Sequence, residues 1–346
     1  MNYPIRDIRA ADEPIELALL LLDGFALMSY AAFVEPFRAA NALAGRALYR
    51  WHHISLDGSP VLASNGATFL VDHGLDAPVA AGVVIVFAGG DPRGIAAPGL
   101  SGWLRRQDRA GKRLAGVSAG PYLLARAGLL DGCRATIHWD HRDAFEQDFP
   151  QVAHEEALYV IDGRRMTCAG GMAGMDLAAS LISRAFDTDL AARVGDWFIH
   201  PEPRPADGPQ RQGIARRYRL AGPRVLTALA AMEEHLDEPL SRGALAGAAG
   251  TTVRQLERLF AREVGEGVAG HYRRLRLDRA AQLLRTTGIP VTEIALACGF
   301  RASSHFSSAF RARFGVAPST ARGLGLVPQD EEAGASRAMP RPAMTA

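Results

Sequence analysis

A chain of 346 residues, 48% hydrophobic and 22% charged, has room for two or three compact domains, and its net charge of +2 marks it as neither strongly basic nor strongly acidic when taken whole. The longest apolar run, residues 17–22, is too short to cross a bilayer, and the opening MNYPIRDIRAADEP lacks the basic-then-apolar order of a secretory leader, so the expectation is a cytoplasmic protein with no membrane partner. Cys133, Cys168 and Cys298 are odd in number and scattered, which argues against a disulfide framework or a zinc site, and no cofactor or metal is indicated.

Residues 1–210 carry a net charge of −6, and short apolar runs alternate there with amphipathic ones. IELALLLL (15–22), WHHISLD (51–57), VVIVFAGG (83–90), RLAGVS (113–118) and RMTCAG (165–170) predict strands. SYAAFVEPFRAANAL (29–43), LSGWLRRQDRAG (100–111), PYLLARAGLL (121–130) and MDLAASLISRAF (175–186) predict helices. Wholly apolar strands separated by helices imply an α/β domain with a mostly parallel sheet covered on both faces, whose ligand site lies beyond the carboxyl ends of the strands.

At one such strand end stands Gly116-Val117-Ser118-Ala119-Gly120. Glycines two before and two after a serine permit a sharp strand-to-helix turn that exposes the hydroxyl above a helix amino terminus. Read alone, this spacing suggests a serine hydrolase, with Ser118 and His138 acting on an amide or ester. Against that reading, His138 follows after only about twenty residues, no HGGG-type oxyanion segment is visible, and Asp140 and Asp143 are its acidic neighbours in sequence. HPEPRPADGPQ (200–210) crowds proline, glycine and charge together and predicts a connector at a domain boundary.

Beyond it the balance reverses: residues 211–323 carry +9, all of the cations being arginine because Lys112 is the only lysine. Leu240, Leu245, Ala246 and Ala249 form a short apolar face, Gly250 a turn, and residues 252–262 a helix with Val253, Leu256, Leu259 and Phe260 inward. Thr252, Arg254, Gln255 and Arg258 are left outward. Residues 272–286 predict a rigid helical spacer rising roughly 22 Å, with Leu275, Leu277, Leu283 and Leu284 apolar and Arg273, Arg274, Arg276 and Arg279 polar. The pattern then repeats. Val291, Ile294, Ala295, Ala297 and Cys298 pack, Gly299 turns, Ser303 or Ser304 caps, and Phe306, Phe310 and Phe314 bury one stripe. Arg301, Ser304, His305, Ser308 and Arg311 lie opposite, groups suited to base edges and phosphates. Two helix-turn-helix copies on such a spacer fall near the roughly 34 Å repeat of duplex DNA, so one all-α domain reads two successive major grooves. The tail from residue 324 has no periodicity and is expected to be disordered.

Residues 224–323 resemble the AraC/XylS family of bacterial transcription regulators, through VTEIALACGF followed by SHFSSAFRARFG. The first motif departs from that pattern, with Thr251, Thr252 and Val253 where such families often carry Leu-Ser-Pro. Residues 14–195 resemble the class I glutamine amidotransferase-like domains of the PfpI type, through AGG (88–90), GVSAG, TIHW (136–139) and TCAGGMAGMD (167–176). That resemblance implies a flavodoxin-like three-layer sandwich. Enzymes of the type carry Cys at the elbow, where this chain has Ser118, and a serine hydroxyl is a poor nucleophile without a matched base, so no enzymatic activity is expected; a PfpI-like amidase or other hydrolase with an appended DNA-binding domain is the alternative.

Together these resemblances imply a sensing domain over 14–199, a linker over 200–222, a DNA-binding domain over 223–323 and a tail over 324–346. VEPFRAANALAGRALYRW (34–51) and ASNG (63–66) are similar to regulators of arginine, glycine betaine, carnitine and sarcosine catabolism. The implied function is a ligand-responsive regulator, an activator, of small amino-acid or quaternary-amine catabolism. Its implied partners are double-stranded promoter DNA, a small amino acid, betaine or carnitine-like effector, RNA polymerase and a second copy of the chain. The expected effector contacts are Glu35, Gly89, Gly90, Ser118, Ala119, His138 and Trp139, with Phe25 or Tyr122 as further aromatic wall.

Overall fold

The computed structural model describes residues 13–324 apart from 79, 212 and 219–221, so the expected disordered tail lies, but for residue 324, outside the described residues. The chain divides into two compact units between Arg219 and Leu220.

In the first unit the elements run β1 (Ile15–Leu21), α1 (Leu27–Ala44), β2 (Tyr49–Ile54), β3 (Val61–Leu62), β4 (Thr68–Phe69), β5 (Val83–Ala88), α2 (Leu100–Arg109), β6 (Arg113–Ser118) and α3 (Gly120–Arg126). They continue through β7 (Arg134–Ala135), α4 (Arg142–Asp148), β8 (Ala153–His154), β9 (Tyr159–Asp162), β10 (Arg165–Cys168), α5 (Ala173–Ala185), α6 (Thr188–Trp197) and α7 (Ile214–Arg217). Six strands form one sheet in the order β2-β1-β5-β6-β10-β9, parallel except for β9 against β10. The two-residue period of a strand splits β1 between two cores. Leu17, Leu19 and Leu21 pack with Phe33 and Phe37 of α1, Leu177 and Ile182 of α5 and Val194 of α6. Ala18 and Leu20 pack on the other face with Trp103 of α2, Leu123 of α3 and Phe145 of α4. The result is the expected three-layer sandwich.

Several details depart from the sequence reading. The helix expected over 121–130 ends at Arg126, because Gly128 takes φ +71. The edge strand β2 starts at Tyr49 and stops at Ile54, where the ladder to β1 ends. Short strands β3, β4, β7, β8 and β9 and the short helix α4 carry too little periodicity to be foreseen, whereas α6 does bury Leu190, Ala191 and Val194 at helical spacing behind an Asp187 cap, a signal that the sequence reading leaves unused. The connector expected over 200–210 is held against the first unit: Ala206 accepts the N–H of Leu158, and Arg204 pairs with buried Asp176.

The second unit is helical: α8 (Pro223–Glu234), α9 (Arg242–Ala248), α10 (Val253–Glu263), α11 (Val268–Thr286), α12 (Val291–Ala297), α13 (Ser303–Phe314) and α14 (Pro318–Leu324). Ser241 caps α9 and Thr252 caps α10, in a reciprocal box with Gln255. Gly250 (φ +58) and Gly299 (φ +71) make the two tight turns. The spacer helix α11 has 19 residues, rising about 28 Å, and is longer than the stretch 272–286 expected for it. Leu277, Leu283 and Leu284 from α11 join Ile294, Phe300, Phe306 and Phe310 in one core, while Leu229, Met232, Leu245, Leu256 and Phe260 are buried around the first pair. Three expectations fail here. Ala297, expected to pack, is exposed at the end of α12. Val253, expected inward, is 38% exposed because it opens α10 ahead of the first buried turn. No serine caps α13, whose preceding residue is Ala302 and whose first residue is Ser303 itself.

Candidate functional site

The elbow follows from backbone crowding at the ends of β5, β6 and β10. Ser118 adopts φ +62, a left-handed conformation that a residue with a side chain reaches only when its surroundings impose it. Glycines around it leave no room for a Cβ. One on Gly116 would lie 2.5 Å from Pro121 N, and one on Gly120 would lie 2.2 Å from the Val86 carbonyl oxygen. One on Gly170 would lie 2.7 Å from both Ser118 Cβ and Ser29 Oγ. One on Gly89 would lie 2.4 Å from the Gly24 carbonyl oxygen. The spacing that marked the elbow in the sequence is therefore enforced by close approach from both sides.

Around Ser118 the structure gathers some of the expected contacts. Its Oγ has no hydrogen-bond partner among the described residues, although the residue is buried. Gly89 and Gly90 directly follow Ala88, the register partner of Ser118. The backbone N–H of His138 reaches the Ser118 carbonyl at 3.5 Å, and His138 Nδ1 accepts the Asp140 N–H at 3.3 Å. The Trp139 ring lies 5.3 Å from the His138 ring and carries the Arg211 guanidinium 4.7 Å from its own centre. Ser29, which sequence reasoning passed over, is buried beside Gly170 and accepts the Gly171 N–H at 2.7 Å. Its only sequence signal is position, at the start of the first helix after an apolar strand.

Other expected contacts are occupied elsewhere. The Ala119 N–H donates to the Ala88 carbonyl at 3.3 Å, so this amide serves the sheet end. Glu35 pairs with Arg38 at 2.7 Å, one turn along α1, with both side chains nearly half exposed. Phe25 is sealed in a ring cluster with Tyr30 and Phe69. Tyr122 donates its hydroxyl to the Asp148 carboxylate, and burial first, then that carboxylate, pushes its pKa up to about 12. In the same ring cluster, burial raises Tyr30 to about 12 while its hydroxyl meets His53 Nε2 at 2.7 Å. Next to the elbow, Cys168 pairs in register with Val117, and burial lifts its thiol to about 12, so it stays protonated.

In the second unit, Arg254 and Arg258 on α10 and Arg301 and Arg311 on and before α13 are exposed. Among the described residues none of these four guanidinium groups pairs with a carboxylate. Ser304, His305 and Ser308 are exposed on α13 opposite buried Phe306 and Phe310, and Ser307, Ser308, Arg311 and Ala312 line a shallow cleft. Both second helices of the two pairs thus present cations and short polar groups to solvent from a packed base, the arrangement that a major groove accepts.

Residues 17–184 match the DJ-1/PfpI family and residues 245–323 match a helix-turn-helix domain. The HTH-type transcriptional regulator CdhR of Pseudomonas aeruginosa is 43% identical over 305 residues, 88% of this chain and 90% of that protein. The chain belongs to the AraC-type HTH transcriptional regulators. GbdR of the same species is 40% identical over 88% of this chain and 83% of its own length. The solved structure of an AraC family transcriptional regulator from Pseudomonas putida is 25% identical, with a TM-score of 0.50, over 54% of this chain and 100% of its own. The chain is thus a DNA-binding transcriptional regulator built from a DJ-1/PfpI domain and a tandem helix-turn-helix domain.

Within this regulator the arginines divide by task. Arg276, expected on the polar face of the spacer, donates Nε to Cys298 O and Nη2 to Gly299 O, each at 2.6 Å, and lies 4.1 Å from the Phe300 ring centre. It ties the spacer to the second turn. Arg274 and Arg313 share Asp278, and Arg274 also meets Glu266. Thr252 and Gln255, expected to face DNA, spend part of their bonding on each other: Thr252 Oγ1 accepts the Gln255 N–H at 3.3 Å, and Gln255 Oε1 accepts the Thr252 N–H at 3.4 Å and the Thr251 hydroxyl at 2.8 Å. Both remain exposed. No helix among the described residues is long and apolar enough to cross a membrane, and no group of three His, Cys, Asp or Glu there could hold a metal ion.

Proposed function

We propose that the first unit is a sensor for a small carboxylate-bearing amine, an amino acid or a betaine, bound over the elbow. The observation that carries this reading is Ser118: a largely buried residue in left-handed backbone, whose hydroxyl has no partner among the described residues, at the carboxyl ends of parallel strands. In this reading the carboxylate meets Ser118 Oγ and the backbone of Gly89 and Gly90, and the cationic end meets the Trp139 and His138 rings. Glu35 contributes only if it leaves Arg38, and the Ala119 amide only if it leaves Ala88. The DNA contacts in this reading are Arg254, Arg258, Arg301, Ser304, His305, Ser308 and Arg311, with Thr252 and Gln255 at the rim of the first helix.

Binding then shifts a population between states that differ in promoter occupancy, by no more than the effector's differential affinity for them. The family resemblance supports the rest of the reading: an activator in the cytoplasm, a homodimer, contact with RNA polymerase, and domain limits of 14–199 and 223–323 around a linker. Thermal-shift titration of the full chain with arginine, glycine betaine, carnitine and sarcosine tests the sensing role, because a ligand that binds the folded state must raise its stability. Stabilisation by one of them, lost in Ser118→Ala, is the expected result; none from any of them defeats the assignment. The strained elbow also suits a hydrolase. Turnover of model amides or esters that vanishes in Ser118→Ala would favour that second reading.

A further inference from the structure

Residues 200–211 run along the first unit through a series of specific contacts. Asp176, fully buried on α5, accepts the Arg204 backbone N–H at 2.8 Å and its Nε and Nη2 at 3.0 and 2.7 Å, and lies 3.2 Å from His200 Nε2. Further along, the Ala206 carbonyl accepts the N–H of Leu158 at 2.8 Å and of Tyr159 at 3.4 Å, beside the edge strand β9. Gln210 then places Nε2 among Thr136 Oγ1, Ile137 O and Ala157 O at 3.1, 3.0 and 2.8 Å. Arg211 lies over Trp139.

Both ends of this segment carry a cost. At its root Ile199, a β-branched residue, is held at φ +56 with 92% of its surface exposed. At its tip Gln210 Oε1 is buried without a hydrogen-bond partner. The ion pair in the middle, its Asp176 buried and its Arg204 partly exposed, is flanked by a left-handed residue and an unsatisfied carbonyl, each of which offsets part of the attachment. Its tip also touches the elbow's own wall. Gln210 and Arg211 grip residues 136–139, and within that same stretch His138 reaches the Ser118 carbonyl.

We propose that residues 200–211 are a releasable strap, and that occupancy of the elbow shifts it between docked and released through the shared stretch 136–139. The proposal rests on the elbow being the effector site. The physical consequence is a change of tether. Release as far as Arg204 frees residues 205–211 from the first unit, about seven residues or roughly 25 Å at full extension. Because coupling is reciprocal, whatever loosens the strap also alters the elbow's affinity.

Hydrogen-exchange mass spectrometry on the full chain reads the strap at the amides of Leu158, Tyr159 and Arg204, and titration with a duplex selected in vitro by the full chain reads the output. Without ligand, Arg204→Ala and Gln210→Ala are expected to speed exchange at these amides roughly tenfold and to change duplex affinity several-fold in one direction. Trp139→Ala, outside the strap, is expected to do the same. Gln210→Ala keeps the test valid if Arg204→Ala does not fold, because it leaves the buried Asp176 paired. Unchanged strap exchange in Trp139→Ala, or wild-type duplex affinity in the strap variants, overturns the proposal. Glycine betaine, carnitine and arginine form the second arm. A probe that stabilises the fold yet leaves strap exchange untouched refutes the strap and spares the sensor. If no probe stabilises the fold, the sensor reading fails and control of the strap by elbow occupancy fails with it, while the docked strap and its link to residues 136–139 stand or fall on the variants without ligand.

Discussion

Gly250 and Gly299 hold the same place in the two helix-turn-helix pairs and the same left-handed backbone, yet their surroundings differ, so the same substitution should cost different amounts. A Cβ on Gly250 (φ +58) meets nothing within 4 Å, and Gly250→Ala should cost only the left-handed penalty of about 1–2 kcal/mol. A Cβ on Gly299 (φ +71) would lie 2.6 Å from Pro239 Cδ and Cγ and 2.8 Å from the Leu236 carbonyl oxygen. A proline ring and a backbone carbonyl cannot swing aside as a flexible side chain does. Gly299→Ala should therefore cost a further ~1–3 kcal/mol of overpacking. The four tryptophans, Trp51, Trp103, Trp139 and Trp197, all lie in the first unit, so indole fluorescence follows that unit while circular dichroism follows both. In urea the dichroism transition that is silent in fluorescence should move down by about 1 M more for Gly299→Ala than for Gly250→Ala. Equal midpoints for the two variants would refute the argument from close approach.

Arg254→Ala should weaken duplex binding by about 1–3 kcal/mol if it touches a base, or lower the salt slope by about one if it touches a phosphate. Arg276→Ala should instead lower the second unit's stability by about 2 kcal/mol and leave the slope unchanged, since its donors are spent on two carbonyls; anisotropy titrations at several salt concentrations, with urea melts, separate the two. Ser118→Gly should raise the first unit's stability by up to about 1 kcal/mol, and its urea midpoint with it, by removing left-handed strain, while abolishing any effector-induced stabilisation; a lower midpoint would show that the strain is not real. His53 and His271 are both held below the ordinary imidazole range, chiefly by burial. Below about pH 6.5 the unfolded chain takes up protons that the folded chain refuses, so stability should fall as the pH drops from about 7.5 to 5.5. A melting temperature that is flat or rising over that window contradicts this, and His53→Gln should flatten the part seen in fluorescence.

Periodic signals were the legible ones. Apolar strands 15–22, 83–90 and 113–118, the phenylalanines at every fourth position of α13 and the turn glycines Gly250 and Gly299 each report a local geometry that one short stretch dictates. The elbow was legible because the glycines flanking Ser118 are required by contacts with Val86 and Pro121. Partnerships across the chain were not legible. That Arg276 caps α12, that Arg204 serves Asp176 and that Glu35 turns to Arg38 depend on which elements meet, and composition is silent on that. The prolines of 200–210 announce an irregular path but do not say whether that path is free or docked. Ser29 escaped notice for the same reason: its importance comes from Gly170 and Gly171, more than a hundred residues away.

In the proposed reading α10 and α13 read DNA together, from one packed unit. Hydroxyl-radical and methylation footprinting of the full chain on a duplex that it selects in vitro tests this most directly. Two protected major-groove segments on one face, about 10 base pairs apart, with the protection at one segment lost in Arg254→Ala and at the other in Arg311→Ala, is the predicted result. A single protected segment that both variants weaken alike, or protection that ignores sequence, would contradict it.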